Sequence, residues 1–184
     1  DDELPLKVEI TGWSPFEAGD PDSSSLPFAA LEYRLANPTA HALAGVFSWN
    51  ARNFMAVEKG EKAVRAIPGG FVLWGGGEKG KPWDDGSFCA RTDDAEARVN
   101  HAWFRGGWFD DLTLAWKDVE EGACYGRPPV SEGLPSPGGT VFVPFSLAAG
   151  ATKAIVVRLS WYVGSSHLRR GDDPEDNEPV GERR

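Results

Sequence analysis

The sequence predicts an all-β protein, an antiparallel β-sandwich with Gly/Pro-rich loops. Three observations lead there. Apolar residues alternate with polar ones at period two over several runs, the mark of strands with one buried and one wetter face. Glycine and proline clusters separate those runs. Helical periodicity is almost missing, and neither an internal repeat nor a coiled-coil heptad is visible. Eight or so short strands joined by such turns favour two packed sheets.

Taken in order, Leu6, Val8 and Ile10 alternate with Lys7, Glu9 and Thr11, and Ala29, Leu31, Tyr33 and Leu35 alternate with Ala30, Glu32 and Arg34. Leu112, Leu114 and Trp116 alternate with Thr113 and Lys117 and read as a further strand. Val141, Val143, Phe145 and Leu147 share one face, as do Ile155, Val157, Leu159 and Trp161. The link Ala148-Ala149-Gly150-Ala151 is short, and Gly150 permits a positive φ, so these two runs are expected to pair as a hairpin. The one helical candidate is Thr92 to Val99, where Thr92 or Asp93 supplies a cap. Residues 1–170 are expected to form a single sandwich domain. Residues 171–184 lack apolar side chains and read as an acidic polar tail or linker.

Composition narrows the function. The 184 residues carry a formal charge of −9, which disfavours nucleic acid and anionic membrane surfaces as partners. No apolar run approaches the roughly 18–20 residues of a transmembrane span. The chain opens at Asp1 with no visible signal peptide, as a segment of a longer polypeptide would. Cys89 and Cys124 are expected to be reduced thiols. His41, His101 and His167 stand far apart, so no metal site and no cofactor is expected. Asp20 and Asp22 match only a fragment of a calcium loop and read as a solvated turn. Gly75-Gly76-Gly77-Glu78-Lys79-Gly80-Lys81 fails the phosphate-loop frame because Pro82 follows the lysine.

Residues 99–119 hold the densest chemistry. Three tryptophans, two phenylalanines and acidic side chains surround Gly106-Gly107. Indole faces stack on the apolar face of a sugar ring while carboxylates accept its hydroxyl hydrogens. Trp103, Trp108, Asp110 and Asp111 are therefore the candidate carbohydrate-binding residues. The same residues also suit a core, with Trp108 and Trp116 buried and Asp110-Asp111 at a turn or strand edge. No catalytic pair can be named. A retaining glycosidase needs two carboxylates about 5–5.5 Å apart, a spacing that 28 acidic residues offer by chance alone.

Val8-Glu-Ile-Thr-Gly-Trp-Ser-Pro-Phe16, Asp22-Ser-Ser-Ser-Leu-Pro-Phe28 and Leu31-Glu-Tyr-Arg-Leu-Ala-Asn37 together resemble the N-terminal region of glycoside hydrolase family 116. Val46-Phe-Ser-Trp-Asn-Ala-Arg-Asn53 looks like the next family strand. Phe104 to Trp116, Val141 to Leu147 and Leu159 to Tyr162 look like later ones. The resemblance runs from about residue 4 to 163. The family includes β-glucosidases and non-lysosomal glucosylceramidases, and its N-terminal β-sandwich packs on an (α/α)6 barrel that carries the catalytic carboxylates.

The resemblance thus implies a non-catalytic domain that supports such a barrel and whose parent polypeptide acts on a β-glucoside or glycolipid. Nothing in this chain resembles the barrel, and it also lacks the Gly-rich opening of the family's sandwich. The other reading is a free-standing carbohydrate-binding or adhesion module with an aromatic platform at Trp103, Trp108 or Trp83. Richness in Gly, Ala and Arg with a single methionine points to a bacterial gene. The compartment stays open, with the cytoplasm preferred.

Overall fold

The computed structural model describes residues 4–166. The expected tail, 171–184, and His167 lie outside them. Among these described residues nine strands follow one another: β1 (Lys7–Trp13), β2 (Phe28–Ala36), β3 (Leu43–Arg52), β4 (Lys62–Ile67), β5 (Gly70–Gly75), β6 (Gly86–Arg91), β7 (Arg98–Asn100), β8 (Gly138–Leu147) and β9 (Thr152–Val163). Among the described residues two α-helices interrupt them, α1 (Pro21–Ser24) and α2 (Asp111–Glu120), with a single 3-10 turn over Pro82–Asp84. One sheet has six strands in the order β1-β2-β9-β6-β5-β4, the other three in the order β3-β8-β7. Every pairing between neighbouring strands is antiparallel, so the all-β reading holds.

The period-two faces become the core. Register sets Ile155 beside Tyr33, Leu159 beside Ala90, and Phe71 beside Ala90 on the inner face of the large sheet. Val141 and Val143 line up with Trp49 and Phe47 on the small one. Phe71, Leu73, Val141, Val143 and Val157 have no accessible surface. Burying each such side chain contributes about 1.5–3 kcal/mol. Phe47 meets Tyr33 at 4.8 Å between ring centroids, which seats β3 beneath β2. The narrower sheet therefore stops short of β1, whose Val8 and Ile10 stay exposed despite their alternation.

Strand β8 is buried on both faces over Gly138–Val143. Its outer face is covered by the chain between β7 and β8, where Tyr125 packs on Phe142 with centroids 5.4 Å apart. Asn100 Nδ2 donates to the Tyr125 hydroxyl, and that hydroxyl donates to Asp118 of α2. These links tie the helix to the small sheet.

Three sequence expectations are corrected. Leu112, Leu114 and Trp116 lie on helix α2, not on a strand. Asp110 caps it by accepting from the Thr113 N–H at 2.8 Å, and only Ala115 is buried. A Leu-Thr-Leu-Ala-Trp run satisfies either period, and the cap decides.

Thr92 to Val99 is not helical. Thr92 Oγ1 and Asp94 Oδ1 accept backbone N–H groups two residues ahead, at 3.3 and 3.0 Å, which closes local turns instead of a helix. Val99 then pairs with Val141.

Strands β8 and β9 are not hairpin partners but lie in opposite sheets. Asn37 explains the crossover. Its side-chain amide donates to the carbonyls of Leu147 and Ala148, each at 3.0 Å, and its backbone exchanges hydrogen bonds with Gly150 and Ala151. The corner is latched to the end of β2, so the chain leaving β8 feeds into the other sheet.

Candidate functional site

A cleft of about 470 Å³ opens at one end of the sandwich, within the range of small-molecule sites. Three segments wall it. The end of β3 and the turn after it bring Arg52, Asn53 and Ala56. The loop before α2 brings Phe104 and Phe109, the first residue of α2 brings Asp111, and the run into β8 brings Leu134 to Pro137. Lys62, at the start of β4, stands between this cleft and a second hollow of about 230 Å³.

The walls are held by polar contacts within the protein. Asn53 accepts from Met55 N–H and donates to the Trp74 carbonyl at 3.0 Å, so its side chain is committed to the turn. Ser136 accepts from the Trp103 N–H at 2.9 Å and donates to the Gly138 carbonyl at 2.7 Å. Arg105 clamps the opposite loop by donating to the carbonyls of Glu132 and Leu134. Gly106 allows the Phe104 and Trp108 rings to meet edge to face at 5.3 Å, since a Cβ there would lie 2.4 Å from Phe104 and 2.7 Å from Trp108.

The four candidate residues part company. Trp103 is 4% exposed, with Nε1 donating to Thr140 Oγ1 at 2.8 Å and Thr140 in turn donating to Asn50 Oδ1 at 2.7 Å. Its ring packs against Gly138, so neither face is presented to solvent. Trp108 is the reverse, 83% exposed and outside the cleft lining. Trp116 is exposed as well, with Nε1 donating to Glu120, so the core role open to these two tryptophans is not realised.

Asp110 is spent on the helix cap. Hydrogen bonds from the Thr113 hydroxyl and N–H hold its carboxyl below the usual carboxylate range. Asp111 alone reaches the cleft. Its side chain is 12% exposed, Arg52 Nε lies 3.5 Å from Oδ2, and that oxygen accepts no hydrogen bond.

Sequence reasoning did not find Arg52, Lys62, Phe104 or Phe109 as neighbours. Lys62 and Asp111 are brought together only by the β3–β4 connection and the crossing of the long loop. The sole local signal was the Phe104–Asp111 cluster itself.

The remaining sequence features are structural. Asp20 accepts from the N–H groups of Asp22 and Ser23 and caps α1. Cys89 and Cys124 are free thiols, half-buried and exposed respectively. Among the described residues, no group of His, Cys, Asp or Glu gathers in a form able to hold a metal ion, and no helix is long and apolar enough to cross a membrane.

No curated protein matches the chain. A family model does, the one described as beta-glucosidase 2, glycosyl-hydrolase family 116 N-term, and it covers residues 1–177. With that match over nearly all of its length, and with the expected two-sheet architecture, the chain belongs to the N-terminal domain family of glycoside hydrolase family 116.

Proposed function

We propose that this chain is the non-catalytic N-terminal sandwich of a β-glucosidase or glucosylceramidase-like glycoside hydrolase. In this reading it packs on and supports a catalytic (α/α)6 barrel of the same polypeptide, which acts on a β-glucoside or a glycolipid. The observation that carries the reading is where the exposed apolar side chains lie. Lys62, Gly75, Gly86 and Val163 form one row across the large sheet, at the end that bears the cleft. Trp161 and Val163 are exposed there on the core-side face, Phe54, packed edge-on to Phe88 at 4.8 Å, is exposed beside them, and Tyr162 is exposed on the opposite face. Such a concentration marks a surface made to be covered, and the family's architecture supplies a barrel as the cover.

The test uses the polypeptide as it occurs in its source. Its mass is measured, and release of aglycone from an aryl β-glucoside is followed for the wild type and a Trp161→Ser/Tyr162→Ser variant. The expected result is a chain far longer than 184 residues, with the variant losing thermal stability and activity together. A native chain of about this length, or a variant indistinguishable from wild type, overturns the reading.

One observation favours a second reading, that of a carbohydrate-binding or adhesion module. Trp108 presents its indole almost wholly to solvent. A Trp108→Ala variant that abolishes sugar binding by a chain with no barrel would select it.

A further inference from the structure

We infer that the free edge of β1 is a self-association surface, on which a second copy of this chain pairs antiparallel over Leu6–Ile10 about a two-fold axis through Val8. The inference stands on the strand and its register alone and is independent of the proposed function.

Strand β1 is an outer strand of the large sheet, hydrogen-bonded on one side only, by β2. All seven of its residues are exposed. Its register with β2 runs unbroken from Lys7 beside Ala36 to Trp13 beside Ala30, without a bulge to turn the edge away. An edge of this kind offers a row of unpaired backbone N–H and C=O groups to another strand. Its inner face is apolar as well. Val8 and Ile10 stand beside Leu35 and Tyr33 and so share the core-side face, yet they are 41% and 63% exposed because the small sheet does not reach them.

The charges decide what fits the edge. Lys7 and Glu9 alternate with those apolar residues and lie on the outer face, opposite in sign, with Nζ 2.8 Å from Oε1. In an antiparallel pair centred on Val8, Lys7 of each copy stands opposite Glu9 of the other. The four charges then form a square of alternating sign, and Arg34, beside Glu9 on β2, extends the alternation. On the inner face Leu6 meets Ile10 and Val8 meets Val8, so exposed apolar residues cover one another. Opposite charges and apolar pairs facing across strands are the contacts that stabilise a sheet. The same residues fix the register. Moving the axis by one residue sets Lys7 against Lys7 or Glu9 against Glu9, like charges that repel. Pro5, with no N–H to donate, ends the ladder just beyond Leu6.

The shape of the sandwich permits the pairing. Phe47 meets Tyr33, so β3 sits beneath β2 and not beneath β1. Two copies joined at β1 therefore keep their β3 strands about 14 Å apart, three strand spacings, and the small sheets do not collide. Lys7–Ile10 is level with Thr152–Ile155 of β9, at the other end of that strand from the exposed Trp161 and Val163. The opposite outer strand of the large sheet, β4, carries only cations, Lys62 and Arg65, and offers a copy of itself no opposite charge. Five residues a side make a small interface, so the dimer is of the weak, concentration-dependent kind.

The test is sedimentation velocity at low salt, over a range of concentrations, on the polypeptide as it occurs in its source. Wild type, Lys7→Glu and Glu9→Lys are compared, both positions being exposed enough to tolerate the change, after circular dichroism has shown each to be folded. The wild type is expected to pass from monomer to dimer as concentration rises. Each variant alone sets like charges opposite one another, and its dimer is expected to weaken about tenfold or more. An equimolar mixture of the two variants restores every opposite-charge pair, so the dimer is expected to return. That rescue needs one chain of each kind, and a change in the fold of either variant does not produce it. A wild type that stays monomeric overturns the inference, as when another segment of the same polypeptide already pairs with β1. So does a dimer that either variant leaves intact, which uses another surface, and so does a mixture as weak as its components. None of these outcomes bears on the barrel-packing reading, which the Trp161→Ser/Tyr162→Ser variant tests separately.

Discussion

The loop that walls the cleft depends on one buried relay, and replacing Thr140 with valine tests it. The substitution keeps the shape of the side chain and removes only the hydroxyl. Thr140 Oγ1 accepts from Trp103 Nε1 at 2.8 Å and donates to Asn50 Oδ1 at 2.7 Å. Asn50 is exposed, so its oxygen turns to water when the partner is lost. Trp103 is 4% exposed, and its N–H has no such recourse. A buried donor left without an acceptor costs about 1–3 kcal/mol. The added methyl returns up to about 0.8 kcal/mol. The net loss is about 1–2 kcal/mol, a fall in Tm of about 2–8 °C for a domain of this size.

Urea melts of the wild type, Thr140→Val, Trp103→Phe and the double variant form a cycle that isolates the hydrogen bond from the loss of ring volume. A coupling energy of about 1 kcal/mol is expected. If Thr140→Val melts with the wild type, or if the two single effects add within about 0.3 kcal/mol, the relay does not anchor the loop and the reasoning is refuted.

Gly138→Ala is expected to cost about 3 kcal/mol or more in a urea melt, because its Cβ would lie 2.5 Å from the Ala51 carbonyl and 2.6 Å from the Trp103 ring. Asp110→Ala is expected to fray the first turn of α2 and lower Tm, while Asp110→Asn, which keeps an acceptor, recovers most of the loss. Since the Asp110 carboxyl sits below its unfolded value, its contribution is present above about pH 4 and fades as pH falls through the folded value, so an acid titration of Tm separates the wild type from Asp110→Asn. Tyr125 is pushed up to about 12 by burial and by the hydrogen bond to Asp118, so it stabilises the fold fully below about pH 10 and loses that contribution as pH rises through 12. Ultraviolet titration is expected to show one tyrosine ionising near that pH. A thiol reagent is expected to label Cys124 quickly and Cys89 slowly, because Cys124 is exposed whereas burial pushes the Cys89 thiol up.

Strand content was legible wherever one face of a run is buried. The alternation around Tyr33 and Leu35, around Val141 and Val143, and around Ile155 and Val157 maps directly onto the core. It misled where burial is absent. Leu112, Leu114 and Trp116 alternate, yet α2 buries only Ala115, so no buried stripe marks the helical period. Pairing was less legible than strand content, because the choice of sheet for β9 rests on Asn37, more than a hundred residues away in the chain from the corner it holds.

The aromatic and acidic stretch did point to the region of the cleft, and Asp111 lies in it. What the sequence could not show is which ring is buried. Trp103 and Trp108 look alike in a string of letters and differ only through Thr140 and Gly138, which arrive from a distant strand. Lys62 and Arg52 carry no local sign of their role at all.

The place of β9 has a consequence for how the chain assembles. It is the last strand in chain order among the described residues, yet it sits in the middle of the large sheet, between β2 and β6. Until Thr152–Val163 has left the ribosome, β1-β2 and β4-β5-β6 are two separate ribbons with open edges. Such pairings of distant segments form slowly and leave unpaired backbone open to association. The large sheet therefore closes only once this strand is present, with β9 acting as a key between two waiting halves. A chain halted before residue 152 cannot form the sheet, so a translational pause in that span exposes both edges at once.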